Sequence, residues 1–130
     1  MRPLFSLLSA AYIAGIFVLA DSPFTQGLSK FNSYSLFHIP LYGLLTMLLI
    51  LSLVPLGFHS IRPSLSNDPG QVKIRLLLVS LIALTVAISD EIYQAYLPAR
   101  ESSLADVLLD SVGIGFVTTI RLGLSKPRQP

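Results

Sequence analysis

The chain alternates between long apolar runs and short polar connections. Four apolar runs stand out, and they cover Leu4–Ala20, Ser35–Leu56, Leu76–Leu97 and Leu104–Leu122. A helix rises about 1.5 Å per residue, so crossing the hydrocarbon core of a bilayer takes about 20 residues, with about 17 as the lower limit. The last three runs meet this length, and the first just reaches it. The pattern therefore predicts an all-α fold, a bundle of four transmembrane helices.

Composition supports the same class. Hydrophobic residues make up 52% of the 130 residues and charged residues 12%, with a mean hydropathy of +0.70. Soluble domains carry about a quarter charged residues, so the chain is expected to be an integral membrane protein with a single domain over residues 1–130. The nine Lys and Arg are scattered at the ends of apolar runs, which does not indicate nucleic-acid binding. The absence of cysteine excludes disulfides and cysteine metal sites.

The first run has a second interpretation. Arg2 before an apolar core, and Val18-Leu19-Ala20 before Asp21, are also typical of a secretory signal peptide with a cleavage site. The apolar core is long for a signal peptide, and the remaining chain is membrane-embedded in either case. We therefore favour an uncleaved first helix over residues 1–20.

The basic residues predict how the bundle is oriented. With four helices, the N-terminus, the second connection and the C-terminal tail share one side of the membrane. Seven of the nine basic residues lie there: Arg2, Arg62, Lys73, Arg75, Arg121, Lys126 and Arg128. Only Lys30 and Arg100 lie on the other side. Because short basic segments stay inside, both termini are expected in the cytoplasm, with the protein in the inner (plasma) membrane.

Carboxylates concentrate in one stretch, Ser89–Gly113, between the third and fourth runs. Charges in the hydrocarbon must be paired or sheltered, and they are functional candidates by default. Asp90 and Gln94 are spaced i, i+4, and Glu91 and Gln94 are spaced i, i+3, so the three share one face of the third helix. Pro98 is expected to end that helix.

The fourth helix is predicted to restart at Ser102–Ser103. Ser103 and Asp106 have the spacing of a capping box. Asp106, Asp110 and Gly113 form one stripe, and the glycine is expected to permit close helix contact. Residues 67–70, with the sequence Asn-Asp-Pro-Gly, are instead typical of a turn in a polar loop.

The second helix brings His38 and Tyr42, also spaced i, i+4, level with these carboxylates. Pro40 lies near the helix start, where a missing N–H is least costly. The sequence thus predicts one polar pocket facing the periplasm or exterior. Its candidate ligand-binding residues are His38, Tyr42, Asp90, Glu91, Gln94, Arg100, Asp106 and Asp110. Three tyrosines elsewhere are interpreted as packing or interfacial anchors: Tyr12, Tyr93 and Tyr96.

The spacing of these residues resembles that of the VanZ-like family over helices two to four. The first motif is His38-x-x-x-Tyr42-x-x-Leu45, and the second is Asp90-Glu91-x-x-Gln94-x-x-x-Pro98-x-Arg100, followed by Asp106-x-x-x-Asp110-x-x-Gly113. The chain departs from the family pattern at three places. Family members often have Asp-Lys, Gly and Asn where this chain has Tyr34-Ser35, Ala99 and Asp110.

The resemblance implies a small bacterial membrane protein of the cell envelope. The family is named after a member that raises resistance to the glycopeptide antibiotic teicoplanin, so a link to antibiotic resistance is part of what the resemblance implies. The family has no agreed catalytic activity, and no reaction follows from it. The fold and the location of the site are the properties that the resemblance carries to this chain.

Three functions are compatible with the predicted pocket. In the first, it binds or handles a cell-envelope lipid or lipid-linked glycan precursor, with Arg100 pairing with a phosphate. In the second, the chain is a lipid-phosphate hydrolase or transferase, with His38, Asp90 and Glu91 as candidate catalytic residues. A divalent metal held by the carboxylates belongs to that alternative, although the sequence assigns no metal site and no cofactor. In the third, the polar residues only fix helix packing in a structural or partner subunit. The oligomeric state is left open.

Overall fold

The part of the chain that the computed structural model describes, residues 2–28, 34–55, 68–98 and 102–124, is helical and contains no strand. The elements are α1 (Pro3–Ala20), α2 (Pro23–Leu28), a 3₁₀ turn (Tyr34–Phe37), α3 (His38–Leu53), α4 (Pro69–Ala95) and α5 (Leu104–Leu124). Within these described residues, four segments are long and apolar enough to cross a membrane: Pro3–Ala20, Ser35–Leu53, Pro69–Ala95 and Leu104–Leu124. This confirms the predicted all-α fold with four candidate spanning helices.

The start of α4 corrects one prediction. The helix begins at Pro69 rather than at Leu76, and the predicted loop turn at 68–70 is its N-terminus. The side chain of Asp68 accepts a hydrogen bond from the backbone N–H of Gln71 at 3.2 Å, which caps the helix. Pro69 occupies the first turn, where its missing N–H would have no helical partner in any case. An Asp-Pro-Gly sequence suits a helix start as well as a turn.

The helix α3 is the centre of the bundle. It packs against α1, α4 and α5, and its contact with α5 is the most extensive. The helix α4 also packs along α5 and makes a smaller contact with α1. Because Leu45 of α3 and Val79 of α4 are fully buried, the apolar core lies between these helices.

The buried stripe of α4 changes character along its length. Its first members are apolar and its last are polar: Val72, Leu76, Val79, Ala83, Ala87, Asp90, Glu91 and Gln94. The three- and four-residue spacing keeps all of them on one face. The opposite face exposes large apolar side chains such as Leu77 and Leu81, as expected of a surface that meets lipid. The buried carboxylates of the helix therefore lie near its C-terminus.

The bundle has two chemically different ends. The start of α1, the end of α3, the start of α4 and the end of α5 meet at what we call the basic end. There, Nη1 of Arg75 donates to the carbonyl of Leu53 at 2.9 Å, and Nη2 of Arg121 donates to the carbonyl of Pro55 at 2.8 Å. These bonds satisfy carbonyls at the end of α3, where the helix dipole also favours positive charge. The opposite end, where α3 and α5 start and α1 and α4 finish, is called the cluster end.

Candidate functional site

The cluster end holds seven of the eight predicted site residues, all of them buried. They come from three helices: His38 and Tyr42 from α3, Asp90, Glu91 and Gln94 from α4, and Asp106 and Asp110 from α5. The eighth, Arg100, lies outside the described residues. Burial of these residues follows from their placement on the inward stripes of three packed helices. We call the seven residues the polar cluster.

One hydrogen bond in the polar cluster joins α3 to α5. Nδ1 of His38 lies 2.9 Å from Oδ1 of Asp110, and both side chains are almost completely buried. When Asp110 is ionised it can only accept, and Nδ1 of His38 is then the donor; the bond fixes the orientation of the ring. The enzymatic alternative groups His38 with Asp90 and Glu91, whereas the structure places Asp110 at Nδ1 of His38.

A second hydrogen bond joins α3 to α4. The hydroxyl of Tyr42 donates to Oδ2 of Asp90 at 3.3 Å. The rings of Tyr42 and His38 are nearly parallel, with an interplanar angle of 10° and centroids 6.4 Å apart, as their i, i+4 spacing predicts. The helix α3 thus offers one donor to α4 and one to α5.

The third connection runs between α4 and α5 and corrects the predicted capping box. The backbone N–H of Ser103 donates to Oε2 of Glu91 at 2.8 Å, and Oγ of Ser103 accepts from the N–H of Ala105 at 3.2 Å. A capping box would instead have the side chain of Asp106 bind the N–H of Ser103. Glu91 takes that role from the preceding helix, which leaves Asp106 to point into the cluster.

Gly113 sets how closely α3 and α5 approach. A Cβ at this position would overlap the carbonyl oxygen of Ile39 and lie 3.1 Å from the N atom of Gly43. Only a glycine leaves this space to the backbone of α3, which confirms the expected close contact. The approach brings Asp110, one turn earlier on α5, within hydrogen-bond distance of His38.

Three of the buried carboxylate oxygens in the polar cluster have no hydrogen-bond partner among the described residues. They are Oε1 of Glu91, Oδ1 of Asp106 and Oδ2 of Asp110. A buried acceptor without a partner is costly, and more so when it is charged. In addition, one ligand atom each from His38, Glu91 and Asp106 lie within 4.8 Å of one another. This is a geometry that a metal ion can use.

Two of the cavities that are lined by described residues open beside the polar cluster. The larger, of about 310 Å³, lies between α4 and α5, and its walls are mostly apolar, with Glu91 and Ser103 among the lining residues. The smaller, of about 170 Å³, lies between α1, α3 and α4, and includes Asp90 and Gln94. We call the larger cavity the α4–α5 groove. Both cavities combine an apolar wall with polar groups from the cluster.

Tyr12, which the sequence predicts to be a packing or anchoring residue, lies beside the site. Its hydroxyl donates to the carbonyl of Leu41 at 3.1 Å, and its side chain lines the smaller cavity with Thr25. No spacing pattern links α1 to the other helices, so the sequence had no signal for this neighbourhood. Tyr93 and Tyr96 are exposed, in keeping with an anchoring role.

Comparison with protein-family models, with curated proteins and with solved structures finds no match to this chain. The VanZ-like resemblance therefore rests on the spacing of the motif residues and stays a prediction. What the structure adds is that seven of those residues form one buried group at one end of a helical bundle.

Proposed function

We propose that the chain is a VanZ-like integral membrane protein whose polar cluster faces the periplasm or exterior. In this proposal the cluster end binds a cell-envelope lipid or lipid-linked precursor, with the headgroup at the polar cluster and an apolar chain in the α4–α5 groove. The link to glycopeptide resistance implied by the resemblance belongs to the same proposal.

The observation that carries the proposal is the composition of the α4–α5 groove. Its wall includes Ile88, Ile92, Leu104 and Val107, and a carboxylate, Glu91, joins this apolar surface. Ligand sites typically combine an apolar wall with a few polar groups that fix orientation. An amphiphile matches this combination of an apolar wall and a polar group. Its acyl or isoprenoid chain would pack against the wall in place of a bilayer lipid. Its headgroup hydroxyl or amine donors would bind Glu91, the carboxylate of the polar cluster that lines the groove.

The positions of the basic residues support an outward-facing cluster end. Every Lys and Arg in the described residues lies near the basic end: Arg2, Lys73, Arg75 and Arg121. Basic residues favour the cytoplasmic side, so the cluster end takes the outer side. Arg100, the predicted phosphate partner, follows α4 in the sequence and is proposed to pair with the headgroup.

A substitution that fills the α4–α5 groove tests the proposal without changing a charge. Ala95 is exposed and lines the groove, so Ala95→Trp places an indole ring where the lipid chain is expected. Native mass spectrometry from detergent should show about tenfold less retained lipid than wild type, which corresponds to roughly 1.4 kcal/mol of lost binding.

Ala105→Trp is the matched control. Ala105 is exposed on α5 and does not line the groove, so this variant should retain as much lipid as wild type. Equal retention by Ala95→Trp and wild type would contradict binding in the groove.

A structural role is the second candidate, and the cross-helix hydrogen bonds favour it. His38–Asp110 and Tyr42–Asp90 each join two helices, as polar residues that stabilise membrane bundles do. In that case, substitutions in the polar cluster would lower the yield of folded protein. The protein that does fold would retain as much lipid as wild type. The two candidates are therefore distinguished by measuring folding and ligand retention on the same variants.

A further inference from the structure

We propose that the polar cluster contains a site for a divalent transition-metal ion, with His38, Glu91 and Asp106 as its three protein ligands. The three residues come from α3, α4 and α5, and one ligand atom of each lies within 4.8 Å of the others. The site shares Glu91 with the wall of the α4–α5 groove, but it is argued from the three ligand atoms and not from the proposed lipid binding.

The two carboxylates each present one oxygen that the described protein groups leave without a hydrogen bond. Oε2 of Glu91 accepts from the backbone of Ser103, whereas Oε1 has no partner. Oδ1 of Asp106 also has none. Both side chains are more than nine-tenths buried, with exposed fractions of 6% and 8%, so water solvates these oxygens poorly. A cation is the group that would satisfy both of them together.

The histidine is oriented as a metal-binding imidazole usually is. Nδ1 of His38 is held by the carboxylate of Asp110 at 2.9 Å, and a ligating histidine commonly binds a carboxylate through its other ring nitrogen. A metal bound through the other ring nitrogen would keep the bond between Nδ1 and Asp110 intact. Asp110 therefore acts as a positioning residue for His38 rather than as a ligand.

Distances and charge agree with an ion of this class. Metal–ligand bonds of about 2.0–2.2 Å place tetrahedral ligand atoms roughly 3.3 Å apart, so the three groups need to close by about 1.5 Å at most from the present limit of 4.8 Å. Side-chain rotation can supply that movement. Four carboxylates and one imidazole share the cluster, so a divalent ion would also reduce their mutual repulsion.

The mixed ligand set indicates which ions to expect. Imidazole suits zinc and similar transition metals, whereas Mg²⁺ prefers an all-oxygen shell that includes water. Three protein ligands also leave a fourth position open, as in catalytic zinc sites. We therefore expect Zn²⁺ to bind and Mg²⁺ at the same concentration not to replace it.

Metal content is the direct test. The full chain, purified in detergent without chelators, is incubated with ZnCl₂, desalted and analysed by plasma mass spectrometry. Wild type should retain about one zinc ion per chain, and Glu91→Gln and Asp106→Asn should each retain almost none. Asp110→Asn should bind about 10–100-fold more weakly, because it acts only through His38.

Asp90→Asn is the matched control, since Asp90 is a buried carboxylate next to Glu91 but not in the ligand set. This variant should keep the metal. ZnCl₂ should also raise the unfolding temperature of wild type and of Asp90→Asn, but not that of Glu91→Gln. A cooperative unfolding transition in each variant, with or without zinc, shows that the variant is folded when it is assayed.

The proposal is overturned if wild type retains no more zinc than Glu91→Gln, or if Mg²⁺ raises the unfolding temperature as much as Zn²⁺ does. Loss of zinc from Asp90→Asn as well as from Glu91→Gln would also overturn the assigned ligand set. Ala95→Trp separates this proposal from the lipid proposal. That variant should lose retained lipid and keep zinc, so failure of either proposal leaves the other open to test.

Discussion

At the scale of single residues, the polar cluster separates the roles of neighbouring carboxylates. Asp110 holds Nδ1 of His38, Asp90 accepts from Tyr42, and Glu91 accepts from the N-terminus of α5. Each of these acids therefore fixes a different contact between helices. A substitution at one of them tests one contact.

Asp110 gives the first residue-level prediction. Asp110→Asn keeps an oxygen that can accept from Nδ1 of His38, so the unfolding temperature should stay close to that of wild type. Asp110→Ala removes the acceptor from a buried donor and should cost about 1–3 kcal/mol. Thermal unfolding in detergent compares the two variants. Equal stability of Asp110→Ala and wild type would show that this bond does not hold α3 to α5.

The sequence predicted which residues gather but not how they pair. Spacing of three and four residues placed Asp90, Glu91 and Gln94 on one face, because helix geometry alone decides that. Pairing depends on the rotation and approach of separate helices, which no local pattern encodes. For this reason the bond from Ser103 to Glu91 could not be foreseen, and a capping box within α5 was the nearest local alternative.

At the scale of helices, the contact between α3 and α5 depends on one small residue. Gly113 faces the backbone of α3 at Ile39, whereas Gly43 faces Val117 at an ordinary contact distance of 3.6 Å for an added Cβ. Of the two glycines in this interface, Gly113 has no room for a side chain and Gly43 has room for a Cβ. This difference supplies a matched pair of substitutions.

Gly113→Ala should push α5 away from α3 and lower stability by about 1–3 kcal/mol, the usual range for overpacking. It should also weaken the bond between His38 and Asp110. Gly43→Ala should be tolerated, with a stability close to wild type. Thermal unfolding of both variants makes the comparison. A greater loss for Gly43→Ala than for Gly113→Ala would contradict the described packing.

Helix boundaries show where sequence reasoning succeeds and where it stops. Three of the four apolar runs begin within a few residues of their helices, because hydropathy and helix length are local properties. The start of α4 was missed because its first turn is polar, and Asp-Pro-Gly fits both a turn and a capped helix. The short helix α2 lies in a connection too brief for a periodic pattern to indicate it.

At the scale of the whole molecule, the proposal has the cluster end of the bundle face outward. The chain has no cysteine, so a single introduced cysteine reports its own position without background. Ser102 is exposed at the cluster end, and Gln71 is exposed at the basic end. With a maleimide that does not cross membranes, Ser102→Cys should react in intact spheroplasts and Gln71→Cys only after lysis. The reverse labelling pattern would contradict the proposed orientation.

The central claim is that the polar cluster binds a ligand rather than only joining helices. Glu91→Gln tests it most directly, because the amide oxygen of Gln can still accept from Ser103 and should preserve the start of α5. Asp68→Asn, at the other end of the same helix, is the control, since Asn caps a helix as well as Asp does.

Native mass spectrometry measures the retained lipid, and thermal unfolding measures the stability. Both are applied to wild type and to these two variants. The account predicts that Glu91→Gln unfolds near the wild-type temperature but retains about tenfold less lipid, while Asp68→Asn retains as much lipid as wild type. Undiminished lipid in folded Glu91→Gln would contradict it.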